Sequence, residues 1–364
     1  MLFSCHKSKP DVVLLTDMRA NFPTFIAAGS LLALTVGAAT PAAIEAEIQR
    51  RNAAKAKEAA APVVPGFIEP DQDKARSTAE TVYNTWRLSM IRGSERAWRS
   101  TTSNSRQMKV RNLIISQRGN FPRDFFRVTN ETPKLENFAY IGSLLGCNGY
   151  TMASTYLGQV QVGDGQVAES AFVLEFVFEG GRWKLDQTRM FNLSQLPKVR
   201  QRLRNRDLSV LREQDGFQPY DRIPATPPAC NAPVLIGKVF VDCPGREIDM
   251  TINGISLHQF NDERRADIIS GGLKRGVNTI SYKINDRQNL DRPTMAIGIF
   301  VAPETPGNSP VCVFDHILDA SDTANGGSFT FFISNDHIAS MNPAFKGKRP
   351  EPFHAVPLKK KEGK

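Results

Sequence analysis

Gly180-Gly181 stands between two alternating runs in FVFEGGRWKLDQ, residues 176–187, and this stretch restricts the fold more tightly than any other. A Gly-Gly pair supplies the positive φ angles of a two-residue type I′ turn, and such a turn sets the register of a hairpin. The spacing predicts Phe178 opposite Trp183 and Phe176 opposite Leu185 on one face. Glu179 opposite Arg182 and Val177 opposite Lys184 then fall on the other. The first face reads as core; the second, which carries Glu175, reads as wet. Upstream, TYLGQVQV and QVAESAFVLEF flank Gly163-Asp164-Gly165, a second hairpin signal, so 151–191 is expected to form a three-stranded antiparallel meander.

A chain of 364 residues with 41% hydrophobic and 9% aromatic residues has material for two cores. Residues 67–195 read as the first domain. Asp71 is a suitable N-cap, and Ala75, Ala79, Val82, Tyr83, Trp86 and Met90 recur at helical spacing until Gly93. Ser94 caps a second short helix with Ala97 and Trp98, and 108–115 suggests a third. Residues 196–229 combine an arginine-rich helical stretch with FQPYDRIPATPPAC and read as a basic interdomain linker. From 230 to 341, short strand-like runs such as VLIGKVFVDC, VNTISYKIN and GSFTFFIS alternate with turn signals, Asn253-Gly254 among them, which predicts an all-β second domain. Residues 342–364 read as a basic disordered tail.

The N-terminus speaks to location. No charged residue occurs from Asn21 to Ile44, and FIAAGSLLALTVGAA ends in small residues suited to signal peptidase. Residues 1–39 are therefore expected to be an export signal, with the true start at Met18, or else an uncleaved anchor; 40–66 reads as an Ala-rich tether. The expected location is periplasmic, outer-surface or secreted. Beyond the leader stand Cys147, Cys230, Cys243 and Cys312. Cys230 with Cys243, or either with Cys312, are the disulfide candidates, and buried free thiols the alternative.

Two resemblances follow from these residues. AETVYNTWRLSMIRGSERAW, followed by long strands ending in the Gly-Gly-Arg-Trp-Lys-Leu-Asp hairpin, resembles the NTF2-like superfamily of SnoaL and ketosteroid-isomerase type proteins, over about 70–194. That implies an α+β cone, N-terminal helices packed on a curved antiparallel sheet, often with an apolar cavity. INGISLHQFNDERRADIISGGLKRGVNTISYKI is similar to galactose-binding-like jelly rolls, which implies a β-sandwich and, in some members, glycan recognition.

Chemistry is sparse. The first domain has no histidine, and no P-loop, GxGxxG, GxSxG or HExxH motif occurs. Tyr83, Trp86, Tyr140 and Tyr156 are the cone's ligand-binding candidates, with core packing of Tyr83, Trp86, Phe176, Phe178 and Trp183 as the alternative. His258, Phe260, Arg264, Arg265 and Asn335 are those of the sandwich loops. Asp315, His316, Asp319 and Asp322 match no metal motif; no metal and no cofactor are expected. A net charge of +9, concentrated in the linker and tail, suits anionic partners. Export argues against nucleic acid. The composite expectation is a non-catalytic binding or scaffold protein of the bacterial cell envelope that contacts a glycan, an anionic polymer or another protein, and that forms a homo-oligomer in some settings. An NTF2-like enzyme acting on a small cyclic substrate and a glycan-binding accessory module are the alternatives.

Overall fold

The computed structural model describes residues 66–127, 132–162, 166–194, 196–286, 294–305, 307–318 and 325–355. The export signal and nearly all of the tether lie outside them. The chain divides into two compact units, one running to Ala232 and including Asn261–Arg265, the other formed by the remaining residues from Pro233.

In the first unit, α1 (Gln72–Arg92) begins at Asp71, whose carboxylate accepts the Asp73 and Lys74 N–H groups. It ends at Gly93, whose φ of 61° is the left-handed conformation glycine tolerates best. Two further helices follow, α2 (Glu95–Thr101) and α3 (Asn104–Ser116), each started by a serine side-chain cap, and then the single turn α4 (Arg123–Phe126). Strands β1 (Phe138–Leu145), β2 (Thr151–Val162), β3 (Gln166–Glu179) and β4 (Arg182–Asn192) form an antiparallel sheet in that order. Gly180 and Gly181 take φ of 58° and 77°, and the four anticipated hairpin pairs form. Residues 163–165 lie outside the described residues, but Val162 pairs with Gln166 across them.

Both faces of this sheet are buried. Tyr83 and Trp86 of α1 pack with Phe172, Leu174, Phe176 and Leu185 on one side. On the other, Ala171 and Val173 pack against Val199 and Leu203 of α5 (Pro197–Arg204) and Val210 and Leu211 of α6 (Ser209–Glu213). The supposed linker is therefore part of the first unit. Its arginines face acids: Arg200 and Arg204 reach Glu169, Arg202 reaches Asp207 and Glu213, and Arg212 reaches Glu69. The hairpin's second face is wet only towards its tip: Arg182 is exposed, whereas Val177 is buried and Glu175 is 1% exposed.

The expected NTF2-like α+β cone is thereby corrected. The described residues are 41% strand and 26% helix, arranged in three sheets, and no helical cone is shown. The physical reason is the two-sided burial of β2 and β3, in which residues 151–157 and 170–177 are buried without a break, as in strands covered on both faces.

The second unit holds two sheets around one core. One has the order β13-β11-β10-β5-β8 and the other β12-β9-β6-β7. Their strands are β5 (Gly237–Asp242), β6 (Arg246–Ile252), β7 (Ser256–Asn261), β8 (Arg264–Ile268), β9 (Gly276–Asp286), β10 (Met295–Val301), β11 (Val311–Leu318), β12 (Gly326–Ile333) and β13 (Phe353–Ala355). Val239, Val241, Ile248, Met250, Ile280, Ile297 and Phe314 close the core between them. Asn253 and Gly254 both take positive φ, as the turn motif requires. Two differences stand out: the polar stretch after that turn forms β7 and β8, and part of the tail pairs as β13 with β11.

Cys147, Cys230, Cys243 and Cys312 are all thiols, so none of the anticipated disulfides is present. Cys230 and Cys243 are buried, and burial pushes the Cys312 thiol up to about 12, far from the reactive thiolate range.

Leu203 is fully buried in the second core of the first unit. Leu203→Ala should lower unfolding free energy by about 2–5 kcal/mol in urea titration, the cost of a cavity in a packed core. A solvated linker residue would change it by less than about 0.5 kcal/mol.

Candidate functional site

The tip of the β3–β4 hairpin, the polar side of α1 and the end of α2 enclose an open groove of about 410 Å³. Ser77, Thr78, Thr81, Val82 and Thr85 line it from α1, Ser100 and Thr101 from α2, and Arg182 and Trp183 from β4. The apolar stripe of α1 turns inward, so residues recurring every four positions on its opposite side share one face. Thr78 Oγ1 donates to the Lys74 carbonyl (2.8 Å), Thr85 Oγ1 to the Thr81 carbonyl (2.8 Å), Ser100 Oγ to the Ala97 carbonyl (2.8 Å) and Thr101 Oγ1 to the same carbonyl (2.9 Å). With those protons committed to the helices, the hydroxyls present oxygen lone pairs to the groove. Arg182 is exposed, and the half-buried Trp183 ring packs edge-on against Phe178 at 5.4 Å between centroids.

The anticipated cone residues lie deeper. Tyr83 is fully buried and its hydroxyl donates to the Pro133 carbonyl (2.8 Å), while Trp86 is buried under the Arg106 guanidinium, 5.3 Å from its ring. Tyr140 packs on Tyr156 and donates to Gln72 Oε1 (2.8 Å). The Tyr156 hydroxyl is buried and has no hydrogen-bond partner among the described residues; desolvation drives its pKa well above the usual range. These four side chains belong to one packed interior rather than to a shared pocket. Phe178 and Trp183, expected to fill that interior, are only half-buried.

A polar cluster sits on the opposite face of the sheet. Arg189 donates to Glu175, and Tyr220 donates to Gln187 Oε1 (2.7 Å) beside them. Desolvation pushes the Glu175 carboxyl up, against the opposing pull of Arg189. Its neighbour in the sheet is irregular. Phe176 faces Leu185 but Glu175 faces Gln187, so Asp186 is the extra residue of a β-bulge. Asp186 accepts the Ser103 hydroxyl, and its displaced carbonyl accepts from Arg106 (2.9 Å).

The candidates of the expected sandwich loops are separated. Phe260 is a fully buried core residue and not a stacking platform. Arg264 and Asn335 are exposed, Asn335 at the start of α7 (Asn335–Ala339), and Arg265 pairs with Glu263 (2.9 Å). His258 is not a loop ligand. Its Nε2 lies 2.7 Å from Ser256 Oγ and its Nδ1 3.5 Å from Asp267. The Ser270 N–H donates to Ser256 Oγ (2.7 Å), so Ser270, Ser256, His258 and Asp267 form one hydrogen-bonded chain. The order of groups is that of a serine-hydrolase relay. Ser256 is nevertheless wholly buried, with its oxygen already accepting a main-chain bond, so no carbonyl carbon can reach it. The chain instead ties β7 to β8, which are edge strands of different sheets.

Of the acidic stretch at 315–322, Asp315 pairs with His354 (2.5 Å) and His316 lies between the Tyr282 hydroxyl (2.5 Å) and the Ala355 carbonyl (2.8 Å). Asp319 and Asp322 lie outside the described residues. No group of three or more metal-ligating side chains occurs among the described residues. No helix among them is long and apolar enough to cross a membrane.

Sequence reading missed the groove, although Ser77, Thr81 and Thr85 recur at four-residue spacing opposite the apolar stripe. No protein-family model, curated protein or solved structure matches the chain.

A carboxyl raised by burial holds its proton more tightly in the folded than in the unfolded chain. Glu175 therefore favours folding most below the ordinary glutamate range of about 4.3, and the advantage is lost as pH rises through its raised folded value. Relative to Glu175→Gln, the wild type should lose stability as pH climbs from about 4 to 8, read from urea midpoints at each pH.

Proposed function

We propose that the protein is a non-catalytic binding or scaffold protein of the bacterial cell envelope, exported by its N-terminal apolar segment, and that it holds a hydroxyl-rich anionic polymer in the groove beside Trp183. The observation that carries this reading is the composition of the groove: a row of acceptor oxygens, one exposed guanidinium and one indole side by side. Acceptor oxygens suit the hydroxyl protons of a polysaccharide. Arg182 suits a carboxylate or phosphate on the same chain, and an indole ring offers apolar area to a sugar face with a polar edge at hand. The groove is open, as a polymer running through it requires.

The basic linker supplies little of the attraction, because four of its six arginines are paired with acids. What remains for an anionic ligand is the local charge at the groove and the basic residues of 342–364. The packed aromatic interior also supports a binding role over turnover of a cyclic substrate within the first unit, since Tyr83, Trp86, Trp98 and Phe176 occupy the space a substrate would need.

Titration calorimetry of the full chain with polygalacturonate and with neutral dextran tests the reading. Polygalacturonate should bind. Trp183→Ala should weaken it at least roughly tenfold, about 1.4 kcal/mol. Arg182→Ala should weaken it about twofold to fivefold at low salt, with little further effect at high salt, as expected of an exposed charge pair. Affinity unchanged in both variants, or equal affinity for dextran, would overturn the proposal.

A further inference from the structure

Residues 218–230, QPYDRIPATPPAC, cross the first unit as a strap that forms no helix or strand and bends at Gln218, Asp221 and Arg222. The body of the unit grips the strap's backbone. Asn112 of α3 is 2% exposed and acts as a two-pronged clamp: its Nδ2 donates to the Pro228 carbonyl (2.8 Å) and its Oδ1 accepts the Cys230 N–H (3.1 Å). Beside it, Arg111 donates to the Cys230 carbonyl (2.9 Å) and Ser105 to the Ala225 carbonyl (3.3 Å). At the other end, Thr151 Oγ1 donates to the Tyr220 carbonyl (2.6 Å) and Asn148 to the Asp221 carbonyl (2.8 Å). Gly146 makes room there, because a Cβ on it would stand 2.9 Å from the Tyr220 carbonyl oxygen.

Three strap side chains are held: Gln218 Nε2 donates to the Arg212 carbonyl, the buried Cys230 thiol donates to the Asn112 carbonyl (3.7 Å), and Tyr220 is the aromatic anchor. The half-buried Tyr220 places its hydroxyl on Gln187 Oε1 (2.7 Å). Between the anchors Asp221, Arg222, Ile223, Ala225 and Thr226 are exposed, and Pro219, Pro224, Pro227 and Pro228 bias the strap to an extended left-handed conformation. Side-chain clamps on peptide carbonyls, one aromatic anchor and a proline-stiffened occupant are the elements by which proteins recognise extended proline-rich peptides.

We propose that this face is a recognition channel for an extended proline-rich peptide with an aromatic anchor, and that the protein's own strap occupies it in cis. The occupant is written in the strap itself: an aromatic residue, then prolines four, seven and eight residues further on. Tethering gives the strap a high effective concentration, so a free peptide of the same kind competes only when the strap's hold is weakened.

The test uses the full chain and a fluorescein-labelled synthetic strap peptide, with serine in place of its terminal cysteine, read by fluorescence anisotropy. Tyr220→Ala removes the aromatic anchor of the internal strap and leaves the channel whole. It should bind the peptide at least about tenfold more tightly than the wild type does. Adding Asn112→Ala to it should lose at least about tenfold of that gain, since the buried clamp is then missing. Pro224→Gly with Pro227→Gly loosens the strap without touching an anchor, and serves in the same assay should Tyr220→Ala fail to fold. Absence of binding by the folded strap variants up to about 1 mM peptide, or binding indifferent to Asn112, would overturn the proposal.

Discussion

The first unit depends on one constraint: β3 is buried on both faces. Phe172, Leu174 and Phe176 point to the α1 side while Ala171 and Val173 point to α5 and α6, so neither layer can be removed without exposing apolar surface. Each buried aromatic or branched side chain contributes roughly 1.5–3 kcal/mol, and the sum decides where the rest of the chain must go. The arginine-rich helices after β4 are drawn down by Val199, Leu203, Val210 and Leu211, and their charges are then matched with Glu69, Glu169, Asp207 and Glu213 at the rim. Those rim pairs are mostly exposed and worth little individually. Packing sets the position of α5 and α6, and the pairs settle their orientation.

The hairpin register was legible because it depends only on local chemistry. Gly180 and Gly181 are free to adopt positive φ, and alternation carries the pairing outward from the turn. The fate of the hairpin's second face was not legible, because it depends on residues of α5 and α6, well beyond the hairpin in the chain. KVRQRLRNRDLSVLREQ shows only five apolar positions among many charges, and a sequence cannot say that these five will meet the core of Ala171 and Val173. The same limit misplaced Glu175. An acid in an alternating strand reads as exposed unless the layer above it is known.

In the second unit the turn Asn253-Gly254 was readable for the same local reason, whereas β7 and β8 were not. LHQFNDERRADI is too polar to signal strands, and each strand lies at the edge of its sheet, where only one side of the ladder is filled. His258 illustrates the consequence. It read as an exposed loop residue, yet the pleat puts it on the same side of β7 as Ser256, and the following strand brings Asp267 to its other nitrogen. A polar residue in a polar stretch thus became an interior tie, a change of role that no composition argument could have anticipated.

The bulge at Asp186 links the two surfaces of the first unit. Without the extra residue, β4 would keep one alternation from end to end, and the side chains beyond it would exchange faces. With it, Trp183 and Leu185 lie on the α1 side, Trp183 lining the groove, while Gln187 and Arg189 lie on the opposite side, next to Tyr220 and Glu175. The bulge is held from three directions: the Ser103 hydroxyl on its carboxylate, Arg106 on its carbonyl, and the Ser103 N–H on the Leu185 carbonyl (3.0 Å). Since Ser103 also caps α3, the helix that carries Asn112, Arg111 and Ser105 to the strap is fixed to the same point. The groove and the strap channel therefore share one mechanical root. Loss of the Asp186 carboxylate should disturb both surfaces together, whereas changes at Trp183 or Asn112 act on one surface alone.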